Sequence, residues 1–273
     1  MADAPITSAP VLATSGLTRR FGGLIAVNDV SIALRQGELH AVIGPNGAGK
    51  TTLVNLLSGE IRPTAGRVEL MGRDVTGEPA WRLTRLGIGR SFQRINIFPP
   101  LTVLENVRLS TQAVTVPASG LLRSASRAGD VIERAERALD RVGLAAAAGR
   151  RAGALSHGEQ RQLEIAMVLA SAPKVLLLDE PLAGAGPEES QRMTLLLKDL
   201  AREHALLLIE HDMDFVFAVA DRMTVMAEGA VLAEGKPEAI RANRAVQQAY
   251  LGAASPSSSR GEDRGRGERG GGQ

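Results

Sequence analysis

With 273 residues, 44% of them hydrophobic, the chain can bury a large core, and its length suits one large domain or two modest ones. A formal net charge of +2 is too weak to argue for nucleic acid as a partner, and the arginines, which far outnumber the lysines, are dispersed rather than clustered. The absence of cysteine excludes disulfides and thiolate metal sites, and His40, His157, His204 and His211 have no ligand-like spacing.

The N-terminal MADAPITSAPVLATSG lacks the basic start and continuous apolar core of a secretory signal. No run approaches the ~18 apolar residues of a membrane span, so the chain is expected in the cytoplasm, with any membrane association peripheral. Residues 11–34 alternate short apolar runs with turn signals, which predicts antiparallel strands. Residues 38–43 read as a short apolar strand entering a glycine-rich turn, and 51–58 have helical spacing at Leu53, Leu56 and Leu57. A further strand is expected at 67–70, within a turn-rich region. The stretch 111–129 reads as loop. It precedes an amphipathic helix over 130–142, whose apolar stripe is Val131, Ala135, Ala138, Leu139 and Val142. A helix from Leu155 to about residue 170 leads to a buried strand at 175–178, then a helix over 188–203 and a second buried strand at 206–209. Uninterrupted apolar strands alternating with helices predict a parallel sheet covered on both faces. From Ser255 onward no apolar side chain is larger than proline, so 253–273 are expected to be a disordered tail.

Two segments carry chemistry. Gly44-Pro45-Asn46-Gly47-Ala48-Gly49-Lys50-Thr51 matches G-x-x-x-x-G-K-[ST], in which backbone N–H groups at a helix N-terminus, joined here by Thr52, close around phosphates. Lys50 would reach the β and γ phosphates and Thr51 would hold Mg²⁺. The second segment is the apolar strand ending in Asp179 and Glu180. Alternating strand side chains point these carboxylates in different directions and suit them to different tasks: Asp179 to Mg²⁺, and Glu180 to orienting an attacking water and accepting its proton.

Leu155-Ser156-His157-Gly158-Glu159-Gln160 resembles the LSGGQ signature of ABC ATPases, and the resemblance covers residues 11–252. It implies an α/β P-loop NTPase cassette: a RecA-like parallel-sheet core, an N-terminal antiparallel β subdomain and an inserted α-helical subdomain at about 94–172. It further implies that ATP and Mg²⁺ are bound, and that Ser156 and Gly158 act in trans on the γ phosphate held by a partner cassette. Ser156 and Glu159 also fit a capping box at the start of a helix, and both readings can hold together. Gln93 matches the family's Q-loop, which contacts Mg²⁺ and the attacking water. His211 matches the switch histidine, and Phe21 the aromatic that stacks on adenine, although Phe21 could equally be core.

Three departures stand out. His157 replaces the first glycine of the signature, so its side chain must lie away from the phosphate or add a donor to it. Glu159 stands where glutamine is usual. Gly186 stands where the family commonly carries an aspartate that couples the two sites. The missing acid points to an asymmetric pair with a related second cassette, a homodimer being the alternative.

RFGGLIAVNDVS, GIGRSFQRINIFPPLTVLENV, DEPLAGAGPEES and AVQQAYLG are similar to the cassettes of importers for branched-chain amino acids, or for amides and urea. That resemblance implies integral membrane permease subunits as partners, an extracytoplasmic substrate-binding protein acting indirectly, and a peripheral position at the cytoplasmic face of the membrane. A non-transport ABC ATPase is the remaining alternative, disfavoured by the lack of a coiled-coil insertion or of two cassettes in one chain.

Overall fold

The computed structural model describes residues 9–115 and 125–252. The first strands, β1 (Leu12–Phe21), β2 (Leu24–Val30) and β3 (Ala33–Leu34), are antiparallel as the alternation predicts. With β5 (Ala65–Leu70) and β6 (Arg73–Asp74) they form one sheet in the order β2-β1-β5-β6, with β3 also on β1.

The second sheet is built from β4 (Leu39–Ile43), β7 (Ile88–Arg90), β8 (Val175–Asp179), β9 (Ala205–Ile209), β10 (Arg222–Ala227) and β11 (Ala230–Gly235). Its order is β11-β10-β4-β9-β8-β7. Every residue of β4, β8 and β9 is buried, which is why these strands are almost wholly apolar, with His40 and Asp179 as their polar members. The pairing is parallel from β10 to β7, while β11 returns antiparallel along β10. The parallel sheet expected from the sequence is present, and β11 extends it with an antiparallel strand at one edge. The physical reason is the tight turn between β10 and β11, which permits only a hairpin.

Side-chain alternation along these strands divides the core in two. Leu176, Leu178, Leu206 and Leu208 face a cluster with Val107, Leu139, Leu163 and Leu197 from helices. Val175, Leu177, Leu207 and Ile209 face the other cluster, with Leu53 and Leu57 and with Leu17, Val68 and Leu70 of the antiparallel sheet. The first cluster draws on α3 (Val103–Thr115), α4 (Ala125–Arg141), α5 (His157–Leu169) and α6 (Pro187–Glu203). The second draws on α1 (Lys50–Leu57) and on α2 (Ala80–Leu86), through Leu83. After β9 come α7 (Met213–Val219), α8 (Pro237–Arg241) and α9 (Arg244–Gly252).

The loop expected over 111–129 is helical at both ends. The hydroxyls of Thr111 and Thr115 donate to the carbonyls of Val107 and Thr111, at 3.1 and 2.7 Å, so these threonines bond back into α3 instead of ending it. The helix expected at 130 begins at Ala125. The remainder of that stretch and the tail expected over 253–273 lie outside the described residues.

Candidate active site

The loop after β4 turns on glycines with positive φ: Gly44 at 152°, Gly47 at 82° and Gly49 at 98°. A Cβ on Gly44 would run into the carbonyl of Met226, and one on Gly49 into that of Ala26, so no larger residue fits at either position. Gly49 is the N-cap of α1, without a side-chain cap and without an acidic residue in the first turn. The first amide groups of α1, at Lys50, Thr51 and Thr52, are therefore left for an anionic ligand. Pro45 is half-buried, Asn46 and Thr51 are exposed, and Ala48 is buried beneath the loop. The Lys50 ammonium folds back over the loop, donating to the carbonyls of Gly44 at 2.6 Å and Pro45 at 3.1 Å. Burial lowers its pKa, against the opposing pull of Glu180 and Asp179.

Across from the loop, β8 ends at Asp179, which is 2% exposed. Burial pushes its carboxyl above the ordinary range, partly offset by the Arg90 guanidinium. Glu180 has a φ of 49°, a left-handed conformation uncommon for a residue with a side chain, and its N–H donates to the carbonyl of Ile209 at 2.9 Å. That turn aims its carboxylate at two other expected site residues. Glu180 Oε2 accepts from the Gln93 side-chain amide at 3.2 Å, and Oε1 lies 3.7 Å from His211 Nδ1. Gln93, Glu180 and His211, drawn from three separate loops, thus meet at one point.

Ser156 caps α5 through the capping box read from the sequence. Its hydroxyl accepts from the Glu159 amide at 3.2 Å, and Glu159 accepts from the Ser156 amide at 2.7 Å. Ser156, His157 and Gly158 line a cavity of about 690 Å³ with Pro181, Ala185 and Glu189, and no residue of 44–52 lines it. Within this one chain the signature is not joined to the glycine-rich loop. The His157 ring lies against Gly184, where a Cβ would stand 3.4 Å from its Cε1. Gly158 faces the Glu189 carboxylate, which also accepts from the Gly186 amide at 3.3 Å. Phe21 is 45% exposed, with the Arg19 guanidinium 4.4 Å from its ring centroid, so it is not a core residue.

Several neighbours escaped the sequence reading. Glu210, 1% exposed, accepts from the Leu182 amide at 3.0 Å and the His211 amide at 3.2 Å, and burial pushes its pKa up. Its only signal was an acid directly before His211 at the end of an apolar strand. Arg161 and Glu164 form a buried ion pair at 2.8 Å that holds the segment before and at Gln93. Arg161 donates to the carbonyls of Phe92 at 2.6 Å and Gln93 at 2.9 Å, while Glu164 accepts from the Phe92 amide at 3.1 Å.

Among the described residues no cluster of three or more His, Cys, Asp or Glu could cage a metal. The hydroxyl of Thr51, the Gln93 amide and the carboxylate of Asp179 are hard oxygen donors. They fit a Mg²⁺ that takes its other ligands from phosphate and water, as that ion commonly does.

Residues 27–183 match the family model described as ABC transporter, and residues 230–255 match the one described as branched-chain amino acid ATP-binding cassette transporter. The high-affinity branched-chain amino acid transport ATP-binding protein LivG of Salmonella typhimurium is 44% identical over 254 residues, covering 90% of this chain and 100% of the relative. BraF of Pseudomonas aeruginosa, which bears the same description, is 41% identical over the same shares. Among solved structures, a nucleotide-free ATP-binding cassette from an ABC transporter superposes with a TM-score of 0.79 at 30% identity, covering 88% of this chain and 98% of that one. The ADP conformation of the cassette MJ1267 gives 0.78 at 29%, covering 90% and 100%.

Proposed function

Because the chain belongs to the ABC transporter family of ATP-binding cassettes, we propose that it is the ATP-hydrolysing subunit of an importer for branched-chain amino acids or a related small amino acid or amide. The family's cassettes bind nucleotide, and the α/β fold with its two sheets is the cassette fold. The choice of cargo rests on the descriptions of LivG and BraF and on the match over 230–255. A urea or amide importer is the alternative. The cassette spans 11–252, with the helical subdomain at about 94–172.

The observation that carries the reading is the meeting of Gln93, Glu180 and His211 beside the loop that bears Lys50. The amides of that loop and of the α1 N-terminus bind the phosphates. Lys50 leaves the carbonyls of Gly44 and Pro45 for the β and γ oxygens. Thr51, Gln93 and Asp179 would hold Mg²⁺, which supplies positive charge to the phosphate oxygens as the bond to the leaving group breaks. Glu180 orients the attacking water and accepts its proton, Gln93 fixes the Glu180 carboxylate through its amide, and His211 contacts the γ phosphate. Phe21 stacks on adenine. Ser156 and Gly158 act on the nucleotide of a second cassette, which fits their separation from the glycine-rich loop within one chain.

The working assembly contains two membrane permease subunits and a second cassette, a related heteromeric partner being favoured over a second copy, and it receives solute indirectly from an extracytoplasmic binding protein. Among the described residues no helix is long and apolar enough to cross a membrane; the likeness to importer cassettes is what supports a peripheral position at the cytoplasmic face. Nucleic acid has no role.

Titration with a fluorescent ATP analogue and Mg²⁺ tests the reading. Lys50→Ala removes the ammonium that reaches the β and γ phosphates and is expected to abolish most of the affinity. An unchanged affinity would sink the assignment of the loop.

A further inference from the structure

The glycine-rich loop is backed by residues that come more than a hundred positions later in the chain. Between β10 and β11 the chain reverses through Glu228, with φ of 49°, and Gly229, with φ of 82°, two successive left-handed residues as the tightest hairpin turns require. The Gly229 amide donates to the carbonyl of Ala48 at 3.1 Å, and the Gly229 carbonyl accepts from the Asn28 amide at 2.8 Å. A single residue of the turn, through its N–H and its carbonyl, thus ties the loop to β2. Three residues earlier, within β10, the Met226 carbonyl fills the space where a side chain on Gly44 would begin.

From the other side comes Tyr250 of α9. Its ring packs on the cluster that contains Ile43, Val225, Ile240 and Val246, and its hydroxyl lies beside the backbone amide of Gly44. Burial pushes the phenol up to about 12, so it stays a neutral hydroxyl with lone pairs open to that N–H. The carbonyl of the same Gly44 accepts from Lys50 at 2.6 Å. The loop's own lysine thus holds the Gly44 carbonyl, and the Tyr250 hydroxyl of the C-terminal helix stands near the amide of the same residue.

We propose that the β10–β11 turn and α9 form a clamp on the phosphate-binding loop, with Gly229 and Tyr250 as positioning residues that hold it in its binding shape. The inference rests on the reading of that loop as the nucleotide site. A loop of three glycines loses much conformational freedom when it closes on a ligand, and a clamp that restrains it beforehand lowers that cost. The clamp therefore acts on affinity and not on the chemical step. It also makes the C-terminal segment part of the nucleotide site, so that a displacement of α9 is felt as a change in ATP binding.

The test uses the full chain and the same fluorescent analogue with Mg²⁺, comparing wild type, Lys50→Ala, Tyr250→Phe and Gly229→Ala. Tyr250→Phe keeps the ring and loses only the hydroxyl, so it is expected to weaken binding about fivefold, the effect of one net hydrogen bond. In the assembled ATPase its KM rises by a similar factor while kcat is unchanged. Gly229→Ala adds a Cβ 3.0 Å from the Ala26 carbonyl at a positive φ, which opens the turn and weakens binding further. Wild-type affinity in both variants, with Lys50→Ala defective, would overturn the clamp and leave the nucleotide site standing. A fall in kcat at unchanged KM would overturn it as well. If wild type and Lys50→Ala bind alike, the loop is not the nucleotide site and the clamp falls with it.

Discussion

Asp179 pays for its position at the end of a fully buried strand: with burial raising its pKa, the ionised form is disfavoured in the folded chain. A raised folded pKa contributes stability that is complete below the unfolded value, 3.8, and is lost as pH rises through the folded one. Asp179→Asn is therefore expected to raise Tm at neutral pH in the presence of EDTA, with the gain shrinking as the pH falls toward 3.8. The same substitution weakens MgATP binding. Thermal melts across pH with and without nucleotide check both signs, and an Asn variant less stable than wild type at neutral pH would contradict them. Gly44 to Thr52, Asp179 and Glu180 could be proposed from the sequence because each stands in a contiguous motif. Glu210 and Tyr250 were not legible, because Glu210 reaches the Leu182 amide across 28 positions and Tyr250 meets Gly44 only through the packing of α9. The left-handed backbone of Glu180, which aims its carboxylate, likewise left no mark in the sequence.

Helix α5 joins two roles at the scale of the element. Its N-terminus is the signature, and two turns of its length carry Arg161 and Glu164, which grip the backbone of Phe92 and Gln93. Arg161→Ala leaves Glu164 buried without its partner and is expected to cost about 3 kcal/mol, the usual scale for breaking one side of a buried pair. Replacing both by methionine restores most of that stability, but the segment bearing Gln93 is no longer held and turnover stays low. Denaturant unfolding together with steady-state ATPase separates the two effects. Ser156→Ala removes the cap hydroxyl at a cost of ~1 kcal/mol. Strands β8 and β9 were the easiest elements to read, since burial on both faces leaves a nearly unbroken apolar run. Helix α3 was harder, because threonines that bond back into a helix look like loop formers.

At the scale of the molecule, the alternation of β8 and β9 side chains between two clusters fixes the parallel sheet, and it was visible as two uninterrupted apolar runs. The antiparallel return of β11 was not visible, because its half-buried pattern lacks that signal. The distance between the signature cavity and the glycine-rich loop leads to an expectation about assembly. Glu180→Gln and Ser156→Arg variants, each inactive alone, regain hydrolysis on mixing if two copies of this chain pair. If a related cassette is the partner, activity returns only when that cassette and the permeases are added. The measurement that bears most directly on the whole account is ATP turnover by the assembled transporter with Glu180→Gln in this chain, read beside nucleotide binding. With Glu180 as the base, the variant still binds MgATP, traps the closed pair and slows its own site by ~10²-fold or more, as loss of a general base does. Full-rate hydrolysis at that site would contradict it and move the base elsewhere.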